Sequence, residues 1–128
     1  VEDVGIVLGQ AIQQAVGDKA GIRRFGSQIL PMDESLVLCS LDLCGRPYLG
    51  YDLSLDRERV GDFETEMARE FFYAISYGAM MNLHLRQMAG ENCHHILEAA
   101  FKAFGRALDE ACSFDSRIQG VLSTKGAL

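Results

Sequence analysis

Residues 91–102, Glu91-Asn92-Cys93-His94-His95-Ile96-Leu97-Glu98-Ala99-Ala100-Phe101-Lys102, constrain this chain more than any other stretch. They open a strongly apolar helical pattern. At about 3.6 residues per turn and so roughly 100° per residue, His94 and Glu98 lie one turn apart, His95 and Lys102 two, and all four share one sector of the helix. Ile96, Leu97, Ala100, Phe101, Ala103, Phe104, Ala107 and Leu108 fill the rest of the circumference. One stripe therefore packs, while another presents imidazole, carboxylate and ammonium. Imidazole with carboxylate at this spacing suits a first-row divalent ion, and the lysine one turn beyond suits an anion beside it. A solvated polar helix face is the competing reading of so short a pattern.

The rest of the chain bears on that choice. With 128 residues, 48% of them hydrophobic, it is one domain of ordinary size with enough apolar material for a real core. A net charge of −6 with no basic block argues against a nucleic-acid surface. No apolar run approaches the ~20 residues that span a bilayer, and no signal peptide is expected. Cys39, Cys44, Cys93 and Cys112 show no C-x-x-C spacing. They read as reduced thiols of an intracellular protein, with Cys93 either a soft metal ligand or a small residue at a helix start.

Residues 1–16 form an amphipathic helix whose apolar positions are Val4, Val7, Leu8, Ala11, Ile12 and Ala15, closed by Gly17. Glu2 in its first turn complements the helix dipole. A strand to Leu30 ends at Pro31-Met32-Asp33-Glu34. Ser35 to Leu43 reads as a buried strand, Gly45-Arg46-Pro47 as a turn, and Tyr48 to Leu55 as the returning strand of a hairpin. Asp62 is expected to cap a helix to about Gly78 with Phe63, Met67, Phe71, Ala74 and Ile75 buried and Glu70 at the stripe's edge. There a carboxylate needs a partner or a metal. Met80 to Met88 is a strand carrying Asn82, His84 and Arg86 on one face. The HHxxE helix runs to about Ala111, and an irregular tail follows. The expected fold is α+β: a four-stranded, mainly antiparallel sheet with helices on one face.

Seven ordered stretches carry a resemblance: Gly21-Ile22-Arg23-Arg24-Phe25-Gly26, Pro31-Met32-Asp33-Glu34, Asp42-Leu43-Cys44-Gly45-Arg46-Pro47, Leu83-His84-Leu85, His94-His95-Ile96-Leu97-Glu98, Phe101-Lys102-Ala103 and Ser123-Thr124-Lys125-Gly126. Together they resemble imidazoleglycerol-phosphate dehydratase, a lyase of histidine biosynthesis. That family's fold is a duplication, each half a four-stranded sheet with two helices ending in an HHxxE helix. The resemblance divides this chain into residues 1–20, the last helix of the first half-domain, and 21–128, a complete second half-domain. Val1-Glu2-Asp3 then resembles the end of a His-His-Thr-Val-Glu-Asp motif.

The resemblance implies two manganese ions, Mn2+, per active site, held at subunit contacts, with His94, His95, Glu98, Glu2 and Glu70 as this chain's ligands. Glu70 stands where many members have histidine. His84 is an alternative ligand, or more readily a supporting or sheet-face histidine, and Asp33 orients a ligand imidazole or simply stabilises the turn after Pro31. Arg24, Arg46, Lys102, Ser123 and Lys125 match residues that grip the substrate phosphate, as guanidinium and ammonium groups grip a dianion. Arg23 is expected to be solvated, and Cys44 stands where serine is usual.

The implied reaction is dehydration of imidazole glycerol phosphate to imidazole acetol phosphate. The proton lost lies on a carbon with no adjacent carbonyl, so its acidity must come from the ring. The resemblance further implies trimers assembled into a large octahedral homo-oligomer, no nucleic-acid or membrane partner, and a cytoplasmic location, or a plastid in a plant. The alternative is a non-catalytic fragment retaining only part of the metal and phosphate sites. An unrelated zinc hydrolase built on HHxxE would leave the arginine and Ser-Thr-Lys-Gly stretches without a role.

Overall fold

A computed structural model describes residues 2–128; Val1, where the implied His-His-Thr-Val-Glu-Asp match begins, lies outside the described residues. The elements are α1 (Glu2–Val16), β1 (Phe25–Met32), β2 (Ser35–Asp42), β3 (Tyr48–Asp52), β4 (Arg59–Val60), β5 (Phe63–Glu64), α2 (Thr65–Gly78), β6 (Asn82–Ala89) and α3 (Cys93–Cys112). The main sheet has the order β1-β2-β6-β3. β1 and β6 both run antiparallel to β2, and β3 runs parallel to β6. α3 lies across β1 and β2, α2 packs towards β3, and α1 packs on α2. The expected sheet, mainly antiparallel with helices on one face, is what the chain forms. Among the described residues no helix is long and apolar enough to cross a membrane.

The expected hairpin from β2 to β3 does not form. Tyr48 pairs with Asn82 and Asp52 with Arg86, so β6 lies between the two strands. The turn at Gly45-Arg46-Pro47 therefore leads across the sheet end rather than back along β2. Gly45 N–H donates to Met80 O at 2.9 Å and Tyr48 N–H to Met81 O at 3.1 Å, which fixes β3 at the far edge. β1 also runs two residues further than expected. Pro31 and Met32 stay in the strand, and the turn is only Asp33-Glu34. Proline is tolerated there because β1 is an edge strand.

The helices shift too. Asp62 caps nothing. It sits beside Gly61 in the turn between β4 and β5, and α2 begins at Thr65 after Glu64. Its buried residues are Ala68, Phe72, Ala74, Ile75 and Ser76. Phe72 is therefore the core aromatic, its ring 4.8 Å from that of Phe101 and 5.5 Å from that of Phe104. Truncating it to alanine should cost ~3–5 kcal/mol.

On α1 most of the expected apolar stripe faces outward, although Ile12 packs partly against the core. Val4, Val7 and Leu8 are exposed, whereas Gly5 and Gly9 are buried against α2. A Cβ on Gly5 would stand 2.8 Å from the Ala74 Cβ, and one on Gly9 2.9 Å from the Gly78 and Ala79 backbone. Helix contact through small residues brings the backbones together and turns the larger side chains outward.

α3 behaves as its periodicity dictates. Ile96, Ala99, Ala100, Ala103, Ala107 and Ala111 are fully buried against the sheet. The alanines let the helix lie close enough that any Cβ on Gly26 would strike the Ala107 carbonyl.

Candidate active site

The start of α3 is built around a carboxylate from the β1–β2 turn. Asn92 is extended and caps the helix, its side-chain oxygen accepting from His95 N–H at 3.1 Å. Glu34 Oε2 accepts from Glu91 N–H at 2.9 Å, Asn92 N–H at 3.0 Å and Ser35 Oγ at 2.6 Å. Glu34 Oε1 lies 2.5 Å from His95 Nδ1. These donors, led by the Glu91 backbone N–H, hold the Glu34 carboxyl well below the usual carboxylate range. The Glu34 hydrogen bond in turn raises the His95 pKa, against an opposing effect of burial.

Glu34 thus fixes Nδ1 as the proton-bearing nitrogen and leaves Nε2 as the nitrogen that a divalent cation would use. Asp33 has φ +51, and its Oδ2 lies 3.6 Å from His95 Nε2. The carboxylate bonded to the imidazole is therefore Glu34, and of the two roles open to Asp33 the one in the turn after Pro31 is the one its backbone serves. Both occur in Pro31-Met32-Asp33-Glu34; only the turn geometry decides which one reaches α3.

One turn on, His94 Nε2 lies 3.6 Å from Glu98 Oε2, and Lys102 Nζ lies 3.0 Å from Glu98 Oε1. The lysine hydrogen bond is the main cause of the lowered Glu98 pKa. Cys93 is buried, and its thiol donates to Asp56 Oδ1 at 2.9 Å, tying the loop after β3 to α3. Its pKa is raised chiefly by burial, which suits packing better than metal ligation.

The other expected ligands are elsewhere. Glu2 and Glu70 line a small cleft with Glu66, Arg69 and Tyr73, and no residue of the histidine corner lines it. Glu70 is exposed, so it carries no burial penalty. His84 lies on the sheet face opposite the helices, its ring 5.4 Å from that of Tyr48 and seated over Gly50, and gives the histidine corner no support. Among the described residues no three His, Cys, Asp or Glu side chains gather into a metal cage. His94, His95 and Glu98 fit a divalent ion as a partial donor set: two imidazole nitrogens and a carboxylate on one helix face.

A second site lies where the entry to β1, the β2–β3 connection and the tail meet. Arg24, Gly45, Arg46, Ser123 and Lys125 line a cleft of about 900 Å³, together with Arg117 and Leu128. Four of the five expected phosphate residues converge here; Lys102 remains beside Glu98. Arg24 is partly committed, its Nε and Nη2 gripping Asp42 at 2.6 and 3.1 Å and its Nη1 donating to Leu122 O at 2.7 Å. That last bond holds the tail, as does Gly21 N–H to Gly120 O at 2.7 Å. Ser123 Oγ accepts from Lys125 N–H at 3.1 Å, which shapes the Ser-Thr-Lys turn. Arg117, a lining residue the sequence did not single out, pairs with Asp115 at 2.7 Å. Arg23 lies 3.9 Å from the same carboxylate with its side chain 48% exposed, so it is solvated as expected. Cys44 is buried, its Sγ accepting from Asn82 Nδ2 at 3.0 Å.

Comparison with known proteins agrees with this architecture. A family profile described as imidazoleglycerol-phosphate dehydratase matches residues 1–108. The imidazoleglycerol-phosphate dehydratase of Lachnoclostridium phytofermentans is 66% identical over 128 residues, which is 100% of this chain and 65% of that protein. That of Acetivibrio thermocellus is 60% identical, again over 100% of this chain and 66% of its own length. The chain thus spans just under two thirds of the length of these relatives. The crystal structure of imidazoleglycerol-phosphate dehydratase from Staphylococcus aureus superposes with a TM-score of 0.87 at 44% identity, covering 89% of this chain and 67% of that one. The Pyrococcus furiosus enzyme in complex with (S)-C348 gives a TM-score of 0.87 at 39% identity, over 99% and 69%. With a profile match over most of its residues and a shared fold at this identity, the chain belongs to the imidazoleglycerol-phosphate dehydratase family.

Proposed function

We propose that this chain serves the manganese-dependent dehydration of imidazole glycerol phosphate to imidazole acetol phosphate, a step of histidine biosynthesis. The observation that carries this reading beyond family membership is the convergence of Arg24, Arg46, Ser123 and Lys125, from three distant stretches, on one cleft. Such a cleft positions a phosphate dianion, and positioning is a large part of what an enzyme supplies. In the histidine corner, Glu34 holds His95 with Nε2 outward, and His94 and Glu98 offer a nitrogen and an oxygen on the same face. Manganese bound there would supply Lewis acidity to the imidazole ring of the substrate. Lys102, beside Glu98, places a positive charge where an anion approaches that corner.

Because no three donors gather within the described residues, a complete site needs ligands from another chain or segment. That favours assembly into a homo-oligomer with sites between subunits, and it also keeps the non-catalytic alternative in play for the chain alone. Substrate binding separates the two sites. The wild-type chain should bind imidazole glycerol phosphate, and Arg46→Ala should weaken it by about tenfold or more. Equal binding by both would overturn the phosphate reading. The chain by itself, given substrate and Mn2+, is expected to bind without turnover. Manganese-dependent turnover would instead mean that associated copies of α3 complete the metal site.

A further inference from the structure

Lys19 is a buried cation that the readings above leave without a task. It follows α1 in a turn with φ +63, its backbone N–H donating to Val16 O at 2.8 Å. Only 7% of the residue is exposed. Lysine is almost never this buried unless it is paired, yet its ammonium has no hydrogen-bond or ion-pair partner among the described residues. Asp42, whose charge it feels, is already gripped at both oxygens by Arg24.

The tip of Lys19 is not sealed off. Among the described residues, the fully enclosed side-chain polar atom that lacks a partner is Tyr51 Oη. The Lys19 ammonium is therefore not fully enclosed; Lys19 does not itself line the basic cleft, but its ammonium lies behind a residue that does. Nζ stands 3.7 Å from where a Cβ on Gly45 would lie, and Gly45 lines the basic cleft between Cys44 and Arg46. Gly45 has φ +85, and the Leu128 carbonyl presses on the same Cβ position. A side chain there would be strained and would also separate the ammonium from the cleft.

We propose that Lys19 is a further anion-binding residue of this cleft, its ammonium meeting a phosphate from beneath the Gly45 backbone while Arg46, Ser123 and Lys125 meet it from the rim. The proposal rests on the reading of the cleft as a phosphate site. Burial pulls the Lys19 pKa below its ordinary value; charge on Cys44 and Asp42 opposes that pull and Arg24 adds to it. An arriving dianion favours the charged ammonium, so binding should raise the Lys19 pKa. A lysine that merely packed its stem over the β2–β3 connection would show no such coupling.

The test uses inorganic phosphate as the probe and calorimetry on the whole chain. Lys19→Met keeps the stem and removes the charge. Phosphate affinity should fall about tenfold or more, with the melting temperature unchanged or raised. Wild-type binding that survives Lys19→Met unchanged overturns this proposal alone. A wild-type chain that binds no phosphate overturns the cleft reading and this proposal with it. Should the methionine variant fail to fold, the native chain decides by NMR. The Lys19 Cε signal should titrate at higher pH with phosphate bound than without, with Arg24, Asp42, Cys44, Arg46 and Lys125 as the neighbouring charges. An unmoved midpoint overturns the proposal.

Discussion

The histidine corner and the basic cleft are held by different means. At the corner, one helix supplies His94, His95, Glu98 and Lys102 in sequence, and a single carboxylate from a hairpin turn locks the imidazole that matters. At the cleft, each cation comes from a different stretch, and the tail must be tied down by Arg24 and Gly21 before the wall exists. The corner is local and outward-facing, with too few donors of its own; the cleft is long-range and furnished within one chain. Local sites are written in the periodicity of one element, whereas long-range sites depend on where distant elements land.

The largest expected effect on this contrast is at Arg24. Its side chain and that of Asp42 are 15% and 20% exposed. Breaking a fully buried pair costs 3–5 kcal/mol, so partial exposure leaves Arg24→Ala at roughly 2–3 kcal/mol. Urea denaturation should show that loss, and phosphate binding should fall with it. If stability held while binding fell, Arg24 would be a rim ligand rather than the staple of the tail.

At the corner the corresponding change is Glu34→Gln. Groups that orient a ligating histidine typically contribute 10–100-fold to metal affinity. Manganese binding, followed by electron paramagnetic resonance, should weaken by about that factor while phosphate binding at the cleft stays put. Coupled losses at both sites would erase the distinction.

Acid titration separates them more finely. Glu34 and Asp115 both have folded pKa values depressed below the carboxylate range, Glu34 chiefly by the Glu91 N–H and Asp115 by the Arg117 side chain. A depressed folded pKa contributes stability that is present above the unfolded value of about 4 and lost as pH falls through the folded one. Stability should therefore drop progressively below about pH 4. Glu34→Gln and Asp115→Asn should each flatten that limb in chemical denaturation; a limb unchanged by either would place the acid response elsewhere. The smallest effect is expected from Cys44→Ser, a near-isosteric change that keeps an acceptor for Asn82 Nδ2. It should move stability by under ~1 kcal/mol and leave phosphate affinity unchanged.

The same division explains what the sequence made legible. The α3 pattern placed Ala100, Ala103 and Ala107 in the buried stripe and the polar sector opposite, because helical spacing decides them, but it missed buried Ala99 and Ala111 and packed Phe101, which is exposed. The partner of β3 was not legible. Gly45-Arg46-Pro47 looks like a hairpin turn, and nothing local says that β6, some thirty residues later, will take the place beside β2. On α1 the hydrophobic positions pointed to the wrong face, since close approach at Gly5 and Gly9 outweighed the usual burial of Val4 and Leu8. Glu34 was hidden because both acids of the turn fit the motif and only the hairpin's geometry aims one at His95. The basic cleft was legible solely through resemblance.

The parallel seat of β3 against β6 also sets an order of events during folding. A strand whose partner lies beyond an intervening helix pays its loop-closure entropy before any pairing repays it. β3 therefore waits, unregistered, until α2 has turned the chain and β6 has joined β2. Arg46, two residues before β3, reaches its final place no sooner. Competence to bind phosphate then marks the completion of folding, and in a refolding experiment it should lag behind the appearance of helix.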